Sequence, residues 1–212
     1  MKSYKFYLLA AIAATIIPLL ASCLSNDDDN NDNNTYRTLT PAEKSQTLFN
    51  IAGDYQGKAY FINNEEKNDS LDIQYTITAQ DSVLAISDFD MKMLEQYSKI
   101  ASGEYSRIVA NAGKTELRVV LHPYYNPSFA NGYYTLTHTC DQPITVKYND
   151  GEKDHTIILT LGQVLDSYYV RYYSVAEYYQ KRMQGNIIIK SLDVNGYKFD
   201  VNALIGFSGK QL

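Results

Sequence analysis

The chain of 212 residues contains no tryptophan, two cysteines, three histidines and five prolines, and only one long apolar run. Each scarcity removes a class of protein. Two cysteines, one of them assigned below to lipid, exclude by counting both a disulfide framework and a cysteine-rich metal site. His122, His138 and His155 show neither HxxxH nor HxH spacing. With 19 basic residues against 24 acidic ones and no basic tract, nucleic acid is not an expected partner. Nucleotide and hydrolase motifs are missing as well. "NAGKTEL" holds Gly113-Lys114-Thr115, but Ile108 stands where a phosphate-binding loop needs its first glycine. Ser208 in "GFSGK" has glycines at the wrong spacing for a nucleophile elbow. No cofactor is expected.

What is present begins with "LLASCLSNDDDNNDNN". Lys2 and Lys5 precede an apolar stretch from Phe6 to Leu20, followed by the small residues Ala21 and Ser22 and then Cys23, the layout of a secretory signal. The stretch is short for a membrane helix, which takes about 20 apolar residues. Leu20-Ala21-Ser22-Cys23 resembles the lipobox of bacterial lipoproteins. That resemblance implies a leader at 1–22, cleavage before Cys23 and acylation of Cys23, so that the membrane is a partner through a lipid anchor. Residues 23–34 read as a hydrated leash, because four aspartates and no aliphatic or aromatic residue in Ser25–Asn34 leave nothing to bury. The run Asp27-Asp28-Asp29 after the cysteine resembles the export signal of Bacteroidota surface lipoproteins. It implies an outer-membrane location facing the cell exterior.

Residues 35–212 fit one domain, which carries 17 basic and 20 acidic residues. Thr40, Pro41 and Glu43 spell a capping box ahead of a helix that Gly53 should end. Then the period changes to two. In "LDIQYTIT" Leu71, Ile73, Tyr75 and Ile77 share one face and Asp72, Gln74, Thr76 and Thr78 the other. Further strands are expected at 55–62, 82–87, 116–121, 132–140, 144–148, 155–161, 186–193 and 197–202, with hairpin turns at Asp150-Gly151 and Asn195-Gly196. Helices are expected at 90–102, capped by Asp90, and within the tyrosine-rich run where Leu165, Tyr168, Tyr172, Val175, Tyr179 and Met183 recur at helical spacing. The fold class is mainly β (α+β), an antiparallel barrel or sandwich of about nine strands. "IAGDYQGKAYF" loosely resembles the opening of lipocalin-like barrels. Lipobox, aspartate run, "TPAEK" helix and "GDYQGKAY" strand together resemble a group of Bacteroidota surface lipoproteins with no assigned activity.

Twenty tyrosines are the remaining handle. Tyr124, Tyr125, Tyr133 and Tyr134 surround a loop that also holds His122, while Tyr168, Tyr169, Tyr172, Tyr173, Tyr178 and Tyr179 crowd a second region. Aromatic faces stack on sugar rings and apolar ligands, so the first cluster is a candidate ligand-binding surface. The plainer reading places these rings in the core. His138 and Cys140, on one strand face, form a candidate soft-metal or nucleophilic pair against a plainer role in hydrogen-bonded packing. Asp69-Ser70-Leu71 and Asp81-Ser82-Val83 resemble Bacteroidota O-glycosylation sites, which makes Ser70 and Ser82 candidates for modification. The expected function is a non-catalytic module binding glycan, lipid or another protein. The alternatives are a scaffold contacting outer-membrane proteins and, ranked lower, a hydrolase with converging carboxylates.

Overall fold

The computed structural model describes residues 38–140, 142–162 and 175–212. Cys23, Asp27, Asp28, Asp29, Leu165, Tyr168, Tyr169, Tyr172 and Tyr173 lie outside the described residues. The described chain forms ten antiparallel strands in one sheet: β1 (Gly53–Ile62), β2 (Asn68–Thr78), β3 (Val83–Asp90), β4 (Lys114–Tyr124), β5 (Tyr134–Thr139), β6 (Ile144–Asn149), β7 (Asp154–Leu161), β8 (Val175–Tyr179), β9 (Arg182–Val194) and β10 (Tyr197–Gln211). The strand order is β10-β1-β2-β3-β4-β5-β8-β9-β7-β6, and β10 also pairs with β9. Eight strands therefore form a ring, and β9 carries β7 and β6 beyond it. The mainly β, antiparallel expectation holds, with a single sheet bent round on itself.

Alternation sets the ring's interior. Tyr55, Ala59 and Phe61 of β1, Ile73, Tyr75 and Ile77 of β2, and Leu117, Val119 and Leu121 of β4 are buried while their neighbours are exposed or half-buried. Tyr55 and Tyr75 stack at 4.8 Å, and Phe207 of β10 meets Tyr75 edge-on at 5.7 Å. Glycines make the room. A Cβ on Gly209 would stand 2.5 Å from the Tyr75 hydroxyl, one on Gly185 would stand 2.8 Å from Phe207, and one on Gly57 would strike the Ser208 carbonyl oxygen. Glycine in a strand costs about 0.5–1 kcal/mol. An aromatic pair returns a similar amount beyond the burial of roughly 150–250 Å2 per ring, so the exchange favours the filled core.

Each opening of the ring is covered by helix. The first helix, α1 (Pro41–Ile51), has the expected capping box: Glu43 N–H donates to Thr40 Oγ1 (3.2 Å) and Thr40 N–H to Glu43 Oε2 (2.8 Å). It buries Thr47, Leu48 and Ile51, and Tyr55 donates its hydroxyl to Ile51 O (2.6 Å). At the other opening the expected helix at 90–102 is shorter and broken. Asp90 caps a 3-10 turn at Met91–Leu94 as foreseen, α2 spans only Glu95–Ser98, and Ser102 then caps a separate α3 (Gly103–Asn111). Two serines explain how these turns stay buried, since Ser98 Oγ donates to Leu94 O (2.7 Å) and Ser106 Oγ to Glu95 O (3.0 Å).

Beyond the ring, β6, β7 and the far ends of β9 and β10 make an arm. Val146, Ile157, Leu159, Leu192 and Val194 are among its buried residues, and Tyr105 of α3 stacks on Tyr197 at 5.2 Å. Its tip is stitched by side chains. Thr156 N–H donates to Asn195 Oδ1 (2.9 Å), which fixes the amide so that Asn195 Nδ2 faces His155 Nδ1 (3.0 Å). The histidine proton is thereby left on Nε2, which reaches Asp150 Oδ2 at 2.9 Å.

Two expectations need correcting. Val175, Tyr179 and Met183 are not on a helix: they sit on β8 and β9, joined by a two-residue turn at Gln180-Lys181. Alternation carries Ala176 and Tyr178 inward and Glu177 and Tyr179 outward, a period of two beneath the helical spacing. His122 and Pro123 are not loop residues. They lie on β4, with Pro123 opposite Leu136.

Candidate functional site

The register places two rows of side chains on the ring's outer face. Nearest α1, Tyr179 pairs with Arg182, Arg182 with Lys210, and Lys210 with Gln56. One step along, Tyr124 pairs with Thr135, Thr135 with Glu177, Glu177 with Gln184, Gln184 with Ser208, and Ser208 with Lys58. Directly opposed residues hold their Cβ atoms about 5 Å apart, so each row is a continuous strip. Their neighbours Tyr178, Met183, Gly209 and Gly57 face the interior.

Aromatic rings gather at the β4–β8 end of this strip, and hydrogen-bonding groups continue it across β9, β10 and β1. Tyr133 lies 6.0 Å from Tyr179, ring to ring. Tyr124 is partly exposed at its edge, yet burial of the hydroxyl, followed by the nearby Glu177 carboxylate, pushes its pKa up to about 12, so it stays a proton donor. Gln184 Nε2 donates to Glu177 Oε2 at 3.4 Å, a long bond that leaves carboxylate lone pairs for another donor. Asn126 Nδ2 donates to Thr135 Oγ1 (2.7 Å) and to Tyr133 O (3.1 Å), tying the loop after β4 to the strip. Tyr60 shares a hydrogen bond with Ser208 Oγ at 3.2 Å, and Lys58 pairs with Asp72 at 3.1 Å at the far end.

The four candidate tyrosines of the first cluster divide. Tyr124 and Tyr133 belong to the strip. Tyr134 turns inward, stacks on Tyr178 at 5.9 Å and accepts from Asn50 Nδ2 of α1 (2.7 Å). Tyr125 stays in the loop, 6.4 Å from Phe129, which itself meets Tyr134 edge-on. Ser70 is half-buried within β2, and Ser82 is a half-buried turn residue with φ 56°. Of the candidate pair, His138 Nε2 contacts Asn186 O at 2.7 Å, and the Cys140 thiol donates to Gln142 O at 3.1 Å. Burial, with His122 adding to it, holds the His138 pKa below the ordinary histidine range. Among the described residues no group of three or more His, Cys, Asp or Glu side chains is placed to hold a metal.

Glu177, Arg182, Gln184 and Lys210 were not legible as site residues. The available signal was the alternation in "AEYYQKRMQG", where outward residues are polar or aromatic and inward ones apolar, but it becomes visible only once the turn at Gln180-Lys181 is placed.

The family described as "Domain of unknown function (DUF4840)" matches residues 50–194, more than half of the chain. The match runs from the last turn of α1 to the end of β9. No curated protein and no solved structure matches the chain.

Proposed function

We propose that this chain, which belongs to the DUF4840 family of domains of unknown function, is a lipid-anchored outer-membrane protein facing the cell exterior, whose outer strip binds a glycan. The observation that carries the binding reading is the register, which sets Tyr124 and Tyr179 beside Glu177, Gln184 and Arg182, with the Tyr133 ring lying against Tyr179. A sugar ring offers an apolar C–H face and a rim of hydroxyls. Tyrosine faces suit the first, and carboxylate, amide and guanidinium groups suit the second. The half of the ring interior around Tyr55, Tyr75 and Phe207 is filled by its own aromatics, which favours an outside site over a lipocalin-like cavity there. Anchoring rests on the layout around Cys23, and surface display on Asp27, Asp28 and Asp29.

A glycan array probed with the full-length protein in detergent tests the binding reading, with Tyr179→Ala and Glu177→Gln as controls. A positive array with loss in both variants supports it. A blank array, with photo-crosslinks from position 179 captured by outer-membrane proteins on whole cells, supports the scaffold reading instead. Cys23→Ala should abolish acyl labelling. Replacing the three aspartates by asparagine should reduce digestion by external protease, and unchanged digestion would remove the export reading.

A further inference from the structure

The β8–β9 turn is built against two ordinary preferences at once. Gln180 and Lys181 have φ of 49° and 63°, the left-handed region in which residues with a Cβ are strained by about 1–2 kcal/mol each. Two-residue turns of this kind are usually Asn-Gly, as at Asn195-Gly196 in the same sheet. The chain has instead placed an amide and a cation there. Immediately behind the turn, Arg182 and Lys210 are directly opposed across β9 and β10, an arrangement of like charges that disfavours the pairing.

Carboxylates stand diagonal to them on the same face, but none of those described closes an ion pair with them. Among the described residues, Lys181, Arg182 and Lys210 are exposed and take part in no ion pair. Asp54, diagonal to Lys210 on β1, accepts from Thr76 Oγ1 at 2.7 Å, and Glu177 is the partner of Gln184. Tyr179 stands opposite Arg182, 38% exposed, with Tyr133 beside it. A guanidinium can grip a carboxylate or phosphate through two parallel bonds, two lysines add point charge, and the neighbouring ring offers a plate for the sugar that bears the anion.

We infer that Lys181, Arg182 and Lys210 form the anion-recognition end of the strip, so that its ligand is a saccharide carrying a carboxylate or phosphate group. This rests on the glycan reading above. A bound anion removes the repulsion between Arg182 and Lys210, and gives the strained turn a reason to hold Lys181.

The test uses an array of matched pairs: oligogalacturonates with their methyl esters, and mannose-6-phosphate glycans with their dephosphorylated forms, probed with the full-length protein in detergent. Inorganic phosphate is titrated separately by NMR. At least one acidic member should bind about tenfold more tightly than its neutral partner, and Arg182→Ala should erase that ratio by weakening the acidic member more than the neutral one. Lys181→Gly should reduce affinity for the acid about threefold while raising the melting temperature, a pair of opposite signs that a folding defect cannot produce. Acid and neutral forms binding equally, with Arg182→Ala silent, overturn the inference and leave the glycan reading intact. If no saccharide binds but phosphate shifts the Arg182 Nε–H in a manner lost in Lys210→Ala, the glycan reading fails and the anion site stands. If nothing binds, both fail.

Discussion

β9 belongs to two structures, and they are held together in different ways. Its first half lies in the ring, where Tyr55, Tyr75 and Phe207 interlock over Gly57, Gly185 and Gly209. Its second half lies in the arm, where the tip is fastened by Asn195, His155 and Asp150. The ring depends on missing atoms and the arm on particular hydrogen bonds. The two turns that bound β9 repeat the contrast, since Asn195-Gly196 has the residues its backbone prefers and Gln180-Lys181 does not. On the anion-site reading, the strain at Gln180-Lys181 is tolerated for the side chains that the turn presents.

The largest test of this contrast is Gly57→Ala, whose Cβ would meet the Ser208 carbonyl across the β1–β10 pairing. A backbone atom cannot step aside as a side chain can, so the loss should be about 3 kcal/mol, read as a lower urea midpoint. Asn195→Ala strikes the arm. It leaves Thr156 N–H and His155 Nδ1 without their partner and puts alanine at a φ of 54°, for about 2 kcal/mol, with faster amide exchange at Thr156 before any in β2.

Acid should separate the two regions by pH. The His138 pKa is depressed in the fold, mainly by burial, so the unfolded chain takes up the proton first. Its contribution is therefore present above about pH 6.5 and lost as the pH falls below it. The His155 hydrogen bond, then the backbone N–H groups of Lys153 and Glu152, hold the Asp150 carboxyl below its usual range. That contribution is present above about pH 4 and lost as the pH falls further. Urea midpoints across pH should show both limbs, the upper one flattened in His138→Gln and the lower one in Asp150→Asn. The smallest effect has the opposite sign: Lys181→Gly relieves left-handed strain and adds glycine entropy, for a net gain of about 0.5 kcal/mol seen in the melting temperature.

Much of the ring was readable because its segments alternate cleanly. Ile73, Tyr75 and Ile77 are buried as "LDIQYTIT" requires, and Thr40, Pro41 and Glu43 start α1 as their order implies. The expected Asn195-Gly196 hairpin is present for the same local reason, whereas Asp150-Gly151 opens a longer loop closed by the Asn149–Asp154 pair, in which Gly151 has a positive φ and Asp150 does not. β10 was harder. It continues to Gln211, well past the expected end at Asn202, whose φ of 45° accompanies a register shift between Asp200 and Ala203. Gly206 and Gly209 resemble loop punctuation until Tyr75 is found filling the space beside Gly209. The strip was hidden for a related reason. Its members come from β1, β4, β5, β8, β9 and β10, and pairings between strands far apart in the chain leave no spacing to read.

The seam between β1 and β10 sets an order of events in time. β1 pairs with β2, its neighbour in the chain, but its other edge needs Tyr55 to find Gln211 and Tyr60 to find Gly206, partners on β10 far along the sequence. Contacts so distant in sequence slow folding. Until β10 arrives, β1 and β9 each offer a bare edge to any other strand, and the nascent molecule is then most exposed to pairing with a neighbour.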